Sequence, residues 1–287
     1  MKTRGFHRIL LATDGTPQAE AAAHLATALA ESSGSEIRVV HCWSMQVRQR
    51  HGVRDVEMRG EAEKLIADAV DRLRAFGLEA DGELIDSTST HAGTAIAEAA
   101  RKFDADLVVV GTRGLSDLRS MFEHGVSNQV LTSVSCPVLL VREDFASALH
   151  EPSRVLLAVA GGNDIGPAVR AATAAASTTG SRVLVAHVAQ AMFGAQGIAY
   201  VESEEEIQTT IETAAAMLRA LGVTTGTRVA TPGPVARTIA QIASEWQADV
   251  IVIGSSRLGN LGSIVLGSVT HDLVRETRRP VLVAERS

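Results

Sequence analysis

Short apolar runs separated by longer stretches of helical periodicity organise this chain. Ile9-Leu-Leu-Ala-Thr13 is rich in strand formers and ends at Asp14-Gly-Thr-Pro17. Gln18 to Ser32 follows, with Ala22, Leu25, Ala26 and Leu29 at helical spacing. Gly34 stops that helix, and Ile37-Arg-Val-Val-His41 supplies a second strand. Residues 57–76 predict an amphipathic helix with Leu65, Ile66, Ala69, Leu73 and Phe76 on one face, stopped by Gly77. Leu84 and Ile85 mark a third strand, 94–103 a helix, Leu107–Val110 a fourth strand, 126–134 a helix and Val138–Val141 a fifth strand. The same order then returns, with strands near 155–159, 183–187, 227–230, 250–253 and 281–284. Continuous apolar strands alternating with helices predict a parallel sheet covered on both faces. Ligands of such sheets settle beyond the C-terminal strand ends, where the strand order reverses.

The return is a true repeat. Leu107-Val-Val-Val-Gly-Thr-Arg-Gly114 matches Val250-Ile-Val-Ile-Gly-Ser-Ser-Arg257 without a gap. Cys136-Pro-Val-Leu-Leu-Val141 matches Arg279-Pro-Val-Leu-Val-Ala284, and His7-Arg-Ile-Leu-Leu-Ala-Thr-Asp14 matches Ser153-Arg-Val-Leu-Leu-Ala-Val-Ala160. The chain therefore reads as two copies of one domain, 1–143 and 152–287, joined by an aperiodic linker over Arg142–Pro152.

Charge and cysteine usage narrow the partners. A net charge of −6 argues against a general nucleic-acid or anionic-membrane binder. The cluster Arg275, Arg278 and Arg279 reads as a solvated helix end. Cys42 and Cys136 stand singly, without metal-site spacing, as reduced thiols do. No run has the length or apolarity of a signal peptide or a membrane helix, so a cytoplasmic protein is expected.

Polar signals gather at the strand ends. Asp14 follows the first strand and His41-Cys42 the second. After the fourth strand comes Gly111-Thr-Arg-Gly114, nine residues, then His124-Gly125-Val126-Ser127. The second copy reads Gly254-Ser-Ser-Arg257, nine residues, then Gly267-Ser268-Val269-Thr270. Glycines let backbone approach a bound anion, and a helix starting at Ser268 aims free N–H groups at it. The hydroxyls of Ser268 and Thr270 either add donors or cap that helix. Equally, a glycine-rich turn joining strand to helix needs no ligand.

These elements together resemble a tandem member of the universal stress protein family, across essentially all of both halves. The resemblance implies an adenine nucleotide α-hydrolase-like, Rossmann-like α/β fold with a five-stranded, mostly parallel sheet in each half. In nucleotide-binding members Gly-x2-Gly-x9-Gly-[Ser/Thr] follows the fourth strand and an Asp ends the first. Carried over, Cys42 and Val188 lie on the adenine side; Asp14, Gly111, Gly114, Gly125, Ser127, Gly254, Arg257, Gly267, Ser268 and Thr270 complete the sites. ATP, with or without Mg²⁺, is the implied ligand. The family's pairing of final strands across a dimer implies that Val138–Val141 and Val281–Ala284 pair within this chain as a pseudo-dimer. Further self-association into a homodimer of tandem chains stays open.

Neither half keeps the whole pattern. His124-Gly125 stands where Gly-Ser is expected, Ala160 replaces the Asp, and Arg257 replaces the second glycine. Arg257 either blocks the loop or clamps a phosphate through paired hydrogen bonds. The intact Gly267-Ser268 favours the second half as the phosphate site. Catalysis finds poor support: there is no P-loop, metal-ligand spacing or Gly-x-Ser-x-Gly elbow, Asp14 either assists a Mg²⁺-bound phosphate or stabilises the turn before Gly15, and slow ATP hydrolysis stays open. Cys42 reads as a small buried hydrophobe, while His41 and His187 read as structural hydrogen-bonders. Lys64 reads as an exposed helix residue and Glu202-Ser-Glu-Glu-Glu206 as an exposed helix start. Two functions follow: a nucleotide-responsive regulatory protein, or a nucleotide-free interaction scaffold.

Overall fold

The computed structural model describes residues 5–44, 48–50, 53–55, 58–87, 90–112, 125–143, 152–161, 164–177, 180–194, 197–230, 233–254 and 268–285. They form two compact units, one over Phe6–His150 and one over Glu151–Ser287 together with Met1–Gly5.

The N-terminal unit runs β1 (Arg8–Ala12), α1 (Pro17–Ser33), β2 (Glu36–Trp43), β3 (Arg48–Arg50), β4 (Val53–Asp55), α2 (Arg59–Ala75), β5 (Glu79–Asp86), α3 (Ala92–Phe103), β6 (Leu107–Thr112), α4 (Val126–Ser133) and β7 (Val138–Arg142). Its main sheet has the order β7-β6-β1-β2-β5, with every neighbouring pair parallel. The chain builds outward from β1 through β2 to β5, then returns to β6 and β7 on the other side. Right-handed crossovers then place α1 and α2 on one face and α3 and α4 on the other.

The C-terminal unit repeats this with β8 (Arg154–Ala158), α5 (Gly166–Ala175), β9 (Arg182–Val188), β10 (Ala191–Gly194), β11 (Gly197–Tyr200), α6 (Glu204–Ala220), β12 (Thr224–Ala230), α7 (Val235–Glu245), β13 (Val250–Ile253), α8 (Ser268–Glu276) and β14 (Val281–Val283). Its strands lie in the order β12-β9-β8-β13-β14, again all parallel. The linker expected over Arg142–Pro152 falls largely outside the described residues.

Local chemistry explains the element ends. Thr16 caps α1 by accepting from the N–H of Ala19 at 3.4 Å, and Pro17 opens the helix without losing a bond. Gly34 closes it in the left-handed region (φ 65°), returning its N–H to the carbonyl of Ala30 at 2.8 Å. The central strands are buried on both sides: β1 contributes Ile9, Leu10 and Leu11, and β8 contributes Val155, Leu156 and Leu157. No described helix is long and apolar enough to cross a membrane.

Two features depart from the periodicity. The edge strands β5 and β12 are longer than their apolar residues suggest, because their outer positions are exposed and polar. Antiparallel hairpins, β3–β4 and β10–β11, stand between the second strand and second helix of each copy.

Candidate functional site

Sheet register gathers the strand-end residues of the N-terminal half. Ala12 pairs with Val110 on one side and Val40 on the other, at the point where strand order reverses. Asp14, Gly111 and Cys42 follow those three residues and therefore share one end of the sheet. Thr13 fixes the junction: its N–H donates to Val40 at 2.9 Å, and its carbonyl accepts from Nδ1 of His41 at 2.7 Å. The buried His41 is thus a structural hydrogen-bonder there.

The Asp14 carboxylate is engaged locally. Oδ1 accepts from the N–H of Thr16 at 3.1 Å and from its hydroxyl at 2.6 Å. That Asx turn sets the entry to α1. Cys42 is buried, with Sγ donating to the carbonyl of Ala92 at 3.6 Å.

Gly111 has a packing explanation. A Cβ there would lie 2.6 Å from the carbonyl carbon of Gln18 and 2.8 Å from the amide of Ala19. The first turn of α1 thus crosses directly over β6, and only glycine allows that approach. Ser127 donates its hydroxyl to the Gly111 carbonyl at 3.3 Å, tying the start of α4 to the same strand end. Gly125, the extended N-cap of α4, makes no side-chain cap bond. Gly114 and His124 lie outside the described residues.

The C-terminal half is assembled by the same register and finished differently. Ala158 pairs with Ile253 and with Ala186, which brings Ala160, Gly254 and Val188 to one end of the sheet. Val188 is buried. Gly254 is exposed, and a Cβ added there meets nothing within 4 Å among the described residues. Thr270 is buried in the first turn of α8. Arg257 and Gly267 lie outside the described residues, as does the side chain of Ser268.

One residue at this end was not legible as a site residue. Glu202 is not part of an exposed helix start; its side chain is only 17% exposed. Oε2 accepts from Nε2 of His187 at 2.9 Å, and Oε1 accepts from the N–H of Gly161 at 3.1 Å. His187 is 1% exposed, and its Nδ1 has no partner among the described residues. Glu204, Glu205 and Glu206 do form the first turn of α6, with Ser203 and Glu206 in a reciprocal capping box. The signal that separates Glu202 from them is the repeat: Val56-Glu57 stands two residues before α2 as Val201-Glu202 stands before α6. Glu57 is outside the described residues.

Fold and strand-end geometry define a tandem of doubly wound α/β domains, each with its polar residues at the switch point. The sequence model of the universal stress protein family matches residues 5–142 and 152–285, and the chain belongs to that family as a two-domain member. A universal stress protein of Mycobacterium bovis is similar along the whole length: 26% identity over 304 residues, covering 100% of this chain and 99% of that protein. One from Thermus aquaticus is 36% identical over 140 residues, which span 48% of this chain and 99% of that protein. Among solved structures, a universal stress protein from Archaeoglobus fulgidus has the same fold, with a TM-score of 0.74 at 20% identity over 98% of this chain and 96% of that one.

Proposed function

We propose that this chain is a stress-response regulatory protein that binds an adenine nucleotide, ATP foremost, at the strand C-terminal ends of one or both halves. The observation that carries this reading is the register. In each half it brings the ends of the first, second and fourth strands together at the switch point, and in the N-terminal half Ser127 ties a helix start to them. The residues fit the ligand. Buried Cys42 and Val188 offer an apolar side for the base. The start of α4 beside Gly111 and the open backbone at Gly254 suit phosphate oxygens. Mg²⁺, where present, would be held chiefly by the phosphates, with Asp14 a carboxylate at the strand ends of the N-terminal half.

Binding without turnover is the proposed activity, so the protein's output is a change in stability or partner choice. Titration of the full chain with ATP, ADP and AMP, read by calorimetry and by thermal shift, tests it. Saturable binding with a concentration-dependent rise in Tm supports the reading.

A nucleotide-free scaffold is the second reading, favoured by one observation. In the N-terminal half Asp14 and Ser127 already have protein partners, as a purely structural turn requires. No thermal shift with millimolar Mg²⁺-ATP, and no nucleotide released on denaturing the purified protein, decides for it.

A further inference from the structure

The strand ends of the C-terminal half carry a carboxylate that comparing the two copies at the first strand does not reveal. Where Asp14 follows β1, Ala160 follows β8. Glu202 reaches the same place from the connection between β11 and α6. The N–H of Gly161, next to Ala160, donates to one oxygen at 3.1 Å; His187 Nε2 donates to the other at 2.9 Å. Gly161 is needed for this, since a Cβ there would lie 2.2 Å from Oε1. The first copy solves the same backbone problem otherwise: the N–H of Gly15 goes to the hydroxyl of Thr13 at 3.3 Å. Val159 holds the Thr13 place in the second copy and has no hydroxyl to offer.

We propose that Glu202 recognises the ribose of an adenine ribonucleotide in the C-terminal half, accepting hydrogen bonds from its vicinal hydroxyls. The inference rests on the nucleotide reading above and assigns the side chain that orients the ligand. An ionised carboxylate offers about four acceptor sites. Gly161 and His187 use two, one on each oxygen, which fixes the group and leaves an acceptor on each. Its 17% exposure leaves a way for a ligand to reach it.

Such a fixed anion accepts from neutral hydroxyls and repels phosphate. It therefore sorts the two ends of a nucleotide, with the sugar over β8 and β9 and the phosphates toward Gly254 and the start of α8. An acid on the ribose hydroxyls is a recurrent solution in parallel-sheet nucleotide sites. Here it comes from the hairpin side of the sheet, and Ala160 is no longer a vacancy in the pattern.

The test compares ATP with 2′-deoxy-ATP on the full chain. Calorimetry gives affinity, and amide exchange of the peptide over 155–161 reports occupancy of this half. Wild type is expected to prefer ATP and to gain protection in that peptide. Glu202→Ala should weaken ATP at this half by about tenfold or more and equalise the two nucleotides. Gly161→Ala, which displaces the carboxylate without removing it, should do the same. Glu202→Gln, which keeps the side chain's size, guards against a folding defect and should also erase the preference for the 2′-hydroxyl.

An unchanged ATP to deoxy-ATP ratio in both Glu202 variants overturns the inference. Tighter binding by Glu202→Ala also overturns it, because the carboxylate then obstructs the site. Both results leave nucleotide binding itself standing. If the wild type binds no adenine nucleotide in either half, the functional reading fails first and this one with it.

Discussion

Asp249 accepts the backbone N–H of Arg154 at 2.9 Å, joining the residue before β13 to the first residue of β8. The same carboxylate takes the N–H of Ser153 at 2.8 Å. Asp106 does this in the first copy, accepting from His7 and Arg8 at 2.8 and 2.9 Å. Both halves thus clamp their two central strands at the end opposite the site. Asp249→Ala should destabilise the C-terminal half by about 1–3 kcal/mol, the range for bonds to a charged acceptor. Asp106→Ala should do the same to the N-terminal half. Denaturant unfolding followed by amide exchange in each half checks it; a loss spread evenly over both halves contradicts it.

Phe103 is fully buried, with the guanidinium groups of Arg8 and Arg38 each 4.5 Å from its ring centre. Arg38 is held above its ordinary value first by its hydrogen bond to Asp81. Phe103→Ala should cost about 3–5 kcal/mol. Phe103→Leu keeps much of the volume and loses the cation–π contacts, for a smaller cost that includes about 0.5–2 kcal/mol from them. Chemical denaturation of the two variants measures the ratio.

The two strand-end glycines should behave differently. Gly111→Ala places a methyl against the backbone of α1 and should destabilise by about 1–3 kcal/mol. Gly254→Ala meets no described atom and should leave Tm nearly unchanged while weakening nucleotide binding. Thermal melts and ATP titrations of both variants decide it. A large stability loss at Gly254 would show that its glycine serves packing, as Gly111 does.

Acid should expose the α6 capping box. The N–H and hydroxyl of Ser203 donate to Glu206 and hold its carboxyl below its ordinary 4.5. A depressed folded value stabilises above the unfolded value and is lost as pH falls through the folded one. The Tm advantage of wild type over Glu206→Ala should therefore be steady above pH 4.5 and shrink below it. A difference that grows in acid refutes the assignment.

The fold was legible because its inner strands are apolar without interruption and its helices carry buried stripes, twice over. The edge strands were less so: exposed Thr224, Thr227 and Arg228 obscure β12, where packing covers one side only. The hairpins were silent, since Arg48-Gln49-Arg50 has no strand-forming pattern of its own. At the candidate site, position after a strand is what brought Asp14, Cys42 and Gly111 to notice, and the register places all three at one end of the sheet. Glu202 was hidden because three neighbouring glutamates make a helix start, and nothing local sets the first of the four apart.

Glu202 also closes a linkage along the chain. Val201 donates to the carbonyl of Gln190 at 3.0 Å, pinning the base of the β10–β11 hairpin, and the next side chain is the one fastened to β8 and β9. The base of the hairpin and the ends of β8 and β9 are therefore fastened through two consecutive residues, so the hairpin and the floor of the C-terminal half share a single anchor point.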